Sequence, residues 1–204
     1  MRVRFGFVFG LCLAVGVIAA PVLRADPPQR PAPPPPGVYD INAYPLTKIE
    51  TLIDKPNAVI IKDIYRIETR LVFGMTVDAV VVSELGYESR RVQGLRVELH
   101  DGVRPTERVS TSWIDADEAM RLSNALEGMM DLSKKWTGRE EQRSRDLRFS
   151  TVGGFVAGIH QTSRNQMGFV TSGFTDVIQR SVELADFWSL KSFVDQALTL
   201  LGTK

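Results

Sequence analysis

The stretch "RVSTSWIDADEAMRLSNALEGMMDLSKKW", Arg108–Trp136, changes its hydrophobic period part-way along, and that change decides the fold. Up to Ile114, Val109, Thr111 and Trp113 alternate with polar Arg108, Ser110 and Ser112, the period of two of a strand. Beyond it Ala119, Leu122, Leu126, Met129 and Leu132 or Trp136 fall on one stripe, as an amphipathic helix requires. At the junction stand three carboxylates, Asp115, Asp117 and Glu118, which raises the question of a metal or acid/base site. The spacing predicts a helix start instead. Asp115 followed three residues later by Glu118 has the form of a capping box with Asp in place of Ser or Thr. Asp115 then accepts from the amide of Glu118, and Glu118 reaches back to the amide of Asp115. Asp117, in the first turn, gains from the positive end of the helix dipole. A calcium loop needs more oxygen ligands and a glycine at set spacing, and "DADEAMRLSNALE" lacks the glycine. No metal is assigned here.

Strand signals precede this junction. Val59–Ile67 and Leu71–Ser83 ("LVFGMTVDAVVVS") are rich in Val and Ile. In "VQGLRVELHDG", Leu95, Val97 and Leu99 alternate with Arg96, Glu98 and His100 before the Asp101-Gly102 turn. Ahead of all of them, "YPLTKIETLIDKP" spaces Leu46, Ile49 and Ile53 as one short helix, with Pro45 in a first-turn position and a stop at Pro56. After the long helix, "TGREEQRSRD" is a charged connector. Strands follow at Leu147–Thr151, Phe155–Thr162 and Met167–Phe174, with a hairpin turn at 163–166. The last helix lies within Leu184–Leu201, where Phe187, Leu190, Val194, Ala197 and Leu201 form the stripe. The expected order is α-ββββ-α-βββ-α, an α+β fold of mainly antiparallel sheet with two amphipathic helices on one face. Over 58–201 this repetition of a strand set followed by a helix resembles the doubled four-strands-plus-helix unit of Whirly-type and coactivator-type single-strand DNA-binding folds. The resemblance implies architecture alone, because function does not follow from fold, and no site residue is carried over from it.

The N-terminus speaks to compartment. "MRVRFGFVFGLCLAVGVIAAPVLRAD" has a basic start, an apolar run from Phe5 to Ala20 and small residues before the first acid, so 1–25 reads as a secretory signal peptide cleaved after Ala19 or Ala25. The alternative is an uncleaved anchor, since the run approaches the ~20 residues that span a bilayer, and Arg2 and Arg4 then place its C-terminus outside. Both imply export, to a secreted or periplasmic location, and such an anchor is the one membrane contact expected. Seven prolines within 26–37 ("DPPQRPAPPPPG") predict a stiff polyproline II linker, and 38–204 a single globular domain. Removing 1–25 takes Arg2, Arg4 and Arg24 and no acidic residue, which turns a net charge of +1 into −2. A domain of that charge has no basic field for nucleic acid. The only cysteine is Cys12, so the mature domain is cysteine-free, without disulfide, thiolate nucleophile, Cys-ligated zinc or iron-sulfur centre.

The remaining chemistry is sparse. His100 and His160 are the only imidazoles, too few for a zinc site without a set of carboxylates beside them. There is no Gly-x-Ser-x-Gly elbow, and "GGFVAG" (Gly153–Gly158) lacks nucleotide-binding spacing. No cofactor is therefore expected. In Val152–Phe174 five glycines are interleaved with Phe155, Phe169 and Phe174, and strand glycines mark bulges or a close approach. Two readings stand. Trp136, Phe187 and Trp188 fill the hollows at Gly158 and Gly168, which the helices' need to bury their stripes favours, or the hollows face solvent and form a shallow ligand surface with Phe155, His160 and Phe169. The expected function is a non-catalytic binding or scaffold module of the bacterial periplasm or envelope, its partner an unknown protein or small ligand there. The alternative is an extracytoplasmic hydrolase built from carboxylates or from Ser and His, with His100, Asp101 and His160 as its candidate participants.

Overall fold

A computed structural model describes residues 44–72, 74–102, 107–136, 144–162 and 165–202, without the side chains at 68–72 and 88. The expected signal peptide and proline linker lie outside the described residues. A short helix α1 (Lys48–Ile53) leads into four strands, β1 (Ile60–Val72), β2 (Met75–Glu84), β3 (Val92–Asp101) and β4 (Arg108–Asp115). The long helix α2 (Ala116–Trp136) follows, then β5 (Arg145–Ser150), β6 (Val156–Gln161), β7 (Gln166–Ser172), β8 (Ile178–Val182) and the final helix α3 (Asp186–Gly202). The strands form two antiparallel sheets, β1-β2-β3-β4 and β5-β6-β7-β8, each a simple meander. The fold is α+β, with the order α-ββββ-α-ββββ-α.

The second sheet thus carries one strand more than its sequence pattern predicts. In β8, Ile178 and Val182 face the core on either side of Arg180, and a cation there hides the alternation. Its guanidinium leaves the sheet and pairs with Asp101 at 3.0 Å while donating to the carbonyl of His100, so the residue that breaks the pattern ties the two sheets together. Leu71 and Val72 belong to β1 rather than β2, because the chain turns at Gly74, which has a positive φ of 72°.

One core unites the inner faces of both sheets with both long helices. Met75, Val77, Ala79 and Val81 of β2 and Leu95, Val97 and Leu99 of β3 meet the α2 stripe and the α3 stripe, with Phe155, Ala157, Ile159, Val170, Ile178 and Val182 from the second sheet. Fully burying each large side chain stabilises by about 1.5–3 kcal/mol. The α3 stripe is as its periodicity predicts. On α2 the buried line turns through Met130 and Ser133 and leaves Leu132 exposed.

In β4 the two faces are the reverse of the hydrophobic reading. Ser110, Ser112 and Ile114 are buried, while Val109 is 46% exposed. The serines point inward because they meet the end of β7. Ser110 Oγ donates to the Ser172 carbonyl (2.8 Å), Ser172 Oγ lies 3.2 Å from the Ser110 carbonyl and 2.7 Å from Ser112 Oγ, and Gly173 N donates to Ser112 Oγ (3.1 Å). Each buried hydroxyl is satisfied, which removes the usual cost of burying one.

The outer face of the first sheet is divided. One half is covered by α1, whose Ile49 packs with Val80 and Val82. A Cβ at Gly94 would lie 2.6 Å from Ile49 Cδ1 and 2.1 Å from the Ile114 carbonyl, so glycine there lets helix and strand close together. The other half carries a chain of alternating charges, described below. The edge strand β1 shows solvent Lys62, Asp63 and Arg66 and is irregular between Arg66 and Glu68, features that discourage edge-to-edge pairing.

Candidate functional site

The acidic junction is a structural corner. Asp115 ends β4, and its carboxylate accepts from the amides of Lys48 (2.9 Å) and Ile49 (3.2 Å), at the start of α1. Thr47 and Glu50 form the reciprocal capping box there, Thr47 Oγ1 accepting from Glu50 N and Glu50 Oε2 from Thr47 N. Thr51 N reaches the Thr47 carbonyl, so every amide in the first turn of α1 has an acceptor. Glu118 instead accepts from Val152 N at 2.8 Å. The predicted Asp115–Glu118 capping box is therefore corrected: Asp115 does cap a helix, but a different one, and Glu118 holds the loop before β6. The physical reason is that β4 runs into α2 without a break, which leaves Asp115 in the sheet, opposite Gly94 and beside α1. Burial raises the Glu118 pKa, the Val152 amide opposes it, and neighbouring Asp115 adds to the rise. Asp117 is exposed and pairs with Lys48 at 2.9 Å, and that hydrogen bond holds its carboxyl below the ordinary range.

The two histidines do not meet. His100 lies on the outer face of the first sheet, at the end of a charge chain that crosses three strands. Arg66 and Arg96 both donate to the fully buried Asp78 (3.4 and 2.6 Å), Arg96 also approaches Glu98 (3.4 Å), and His100 stands between Glu98 (4.0 Å) and Glu107 (2.9 Å). A buried carboxylate survives only when paired in this way. Asp101 turns to Arg108 and Arg180, and the Arg108 hydrogen bond lowers its pKa. His160 belongs to the second sheet and pairs with the exposed Asp146 of the neighbouring strand. Neither histidine lines the α3 groove or the cavity at Tyr44 described below, and the hydrolase participants His100, Asp101 and His160 do not converge.

The glycine-rich hairpin divides the ligand surface proposed for it. Phe155 is fully buried in the core, whereas Phe169 and His160 lie on the outer face of the second sheet. Phe155 is thus no part of a solvent-facing site. The Gly158 hollow is filled by the Phe169 ring from the opposite strand, whose Cζ lies 2.4 Å from where a Cβ would stand. The Gly168 hollow takes Val182, with Phe187 behind it. Of the three helix side chains expected in these hollows, Phe187 alone approaches one. Trp136 lies under Arg145 and Trp188 under Lys134, both as cation–π contacts.

A larger concavity than the one at Tyr44 and Phe174 lies elsewhere, along the polar face of α3. A groove of about 890 Å³ runs between Arg66 and Ile67 of β1, Glu127 of α2 and the α3 side chains Trp188, Lys191, Asp195 and Gln196. That volume suits a small ligand or a short stretch of polymer. Its floor is a cluster joining the two helices. Lys191 Nζ lies 2.7 Å from Asp195 Oδ2, 3.1 Å from Ser123 Oγ and 3.7 Å from Glu127 Oε2, and Ser123 donates to Asp195 Oδ1. A serine beside a lysine is the arrangement of a Ser–Lys nucleophile. Here the Asp195 hydrogen bond, with Asp195 and Glu127 charges behind it, raises the Lys191 pKa and keeps the amine protonated. It cannot take a proton from Ser123, whose hydroxyl is already committed to Asp195. Burial works to raise the Asp195 pKa, but the Lys191 and Ser123 hydrogen bonds outweigh it and the net shift is downward.

Sequence periodicity passed over this groove because its residues read as the solvated face of α3. One signal was available. Trp188 lies off the buried stripe, 47% exposed, with Lys191 and Asp195 three and seven positions on along the same face. A smaller cavity of about 290 Å³ opens between Tyr44, which stacks on Phe174 at 4.6 Å, Leu46 and Val109. Among the described residues, no three His, Cys, Asp or Glu side chains converge as metal ligands, and no helix is long and apolar enough to cross a membrane. No protein-family model, curated protein or solved structure matches the chain.

Proposed function

We propose that this chain is an exported bacterial protein acting as a non-catalytic binding module of the periplasm or envelope, with the α3 groove as its binding element. The signal-like N-terminus and the proline spacer support the compartment. One observation carries the binding role. The groove joins an exposed indole to several polar groups, while the Lys191–Ser123 contact beneath it is held in a protonated, hydrogen-bonded state. Such a surface orients a ligand, and its lysine offers no base to activate the serine.

Position-specific photocrosslinking in a bacterial host tests it. A photoreactive side chain at Gln196, in the groove, is expected to capture a defined envelope component, and one at Gln179, exposed on the second sheet, is not. Equal labelling from both positions, or a chain that stays full-length in the cytoplasm, overturns the proposal.

A further inference from the structure

The groove's own chemistry selects a ligand class. We propose, on the reading of the groove as the binding element, that it takes an uncharged polyhydroxylated chain, a neutral glycan. Its formal charges cancel, with Arg66 and Lys191 against Glu127 and Asp195. Most of that charge is already engaged: the Lys191 ammonium faces Ser123, Asp195 and Glu127, and Arg66 leans on buried Asp78. An ionic ligand must compete with those pairs and gains no net field in return.

What stays free is acceptor capacity. Each carboxylate oxygen accepts more than one hydrogen bond, and Asp195 and Glu127 remain about half exposed. Gln196 spends its amide nitrogen on Ser192 Oγ, which leaves its carbonyl oxygen for a ligand, and Thr199 spends its hydroxyl on the Asp195 carbonyl. A floor rich in acceptors calls for a ligand rich in O–H donors. Trp188 supplies the apolar complement, for an indole presents a broad flat surface that the C–H face of a sugar ring covers. Lys134 rides 5.3 Å from the centre of that ring and helps to hold it at the rim. Adjacent hydroxyls on carboxylates, together with a ring face on an indole, describe a sugar.

Titration of the isotope-labelled chain, as a bacterial host processes it, tests the class by nuclear magnetic resonance. The probes are β-1,4-linked hexamers of glucose and of N-acetylglucosamine, the cationic glucosamine hexamer, the anionic galacturonate hexamer and a neutral Gly-Ser decapeptide. At least one neutral hexamer is expected to shift the Trp188 indole N–H and the α3 amides saturably, with little dependence on salt. Trp188→Ala and Gln196→Ala are each expected to weaken that binding at least tenfold while leaving the denaturation midpoint in place. Binding of a charged hexamer or the peptide alone, or no shift of those signals by either neutral hexamer, overturns the glycan. The binding-module reading fails separately. A groove-specific crosslink whose adduct is peptide leaves the module standing and removes the glycan, whereas no groove-specific crosslink removes both.

Discussion

The acidic corner at Asp115 and the groove on α3 are made of the same residue types, yet they do opposite things with them. In the corner, Asp115 and Glu118 are 8% and 9% exposed, and each carboxylate is spent on backbone amides that no other group satisfies. In the groove, the Asp195 side chain is 46% exposed and its partners are side chains, Lys191 and Ser123, that also bond to each other. A carboxylate that serves amides is part of the scaffold, because removing it strands a buried donor. One that serves neighbouring side chains and is half open to solvent can exchange those bonds for a ligand's. The cluster that looks like chemistry in the sequence is thus architecture, and the polar face that looks like plain solvated helix is the better candidate for a site.

Removing Asp115 tests that contrast most severely. Asp115→Ala is expected to lower stability by about 2–3 kcal/mol, as two amides lose a charged acceptor, seen as a lower urea midpoint at unchanged slope. A loss below about 0.5 kcal/mol means that water replaces the carboxylate and the corner does not hold α1. Asp195→Asn, in the groove, keeps an oxygen to accept from Ser123 and is expected to cost about 1 kcal/mol, near the upper end for a partly exposed ion pair. If the two variants lose equally, the distinction between scaffold and site fails.

Titration sharpens the comparison further, since Glu118 and Asp195 are shifted in opposite directions. A carboxyl whose folded pKa is raised gives its full stabilisation below the unfolded value of about 4.3 and loses it as pH rises through the folded value. Glu118→Gln keeps a carbonyl for Val152 and does not titrate, so its stability relative to the parent should improve between about pH 4 and pH 7. A carboxyl whose folded pKa is lowered is fully stabilising above an unfolded value of about 3.9 and loses that as pH falls through the folded value. The deficit of Asp195→Asn should therefore be greatest above about pH 4 and shrink below it. Denaturant midpoints across this range read both, and slopes of one sign for the two variants contradict the assignment. The smallest effect belongs to Trp188→Ala, whose stability should stay within about 0.5 kcal/mol of the parent, so that any loss of binding in it reports on the groove.

Periodicity made much of this architecture legible before any coordinate. The stripes of α3 and most of α2, the alternation Leu95, Val97, Leu99, and the switch from strand to helix after Ile114 follow from the chain alone, because a regular element repeats the direction of its side chains every 2 or 3.6 residues. Even the affinity of Asp115 for a helix start was readable. Which helix was not, since the amides it caps lie 67 and 66 positions away. The inward serines of β4 and the core-facing Arg180 break the local pattern for the same reason: Ser172 and the carbonyl of His100, which satisfy them, arrive from the other sheet. The groove needs β1, α2 and α3 side by side before Ser123, Lys191, Asp195 and Glu127 become neighbours. Element type is a property of short stretches of chain, whereas a binding surface depends on which distant stretches the shared core brings together.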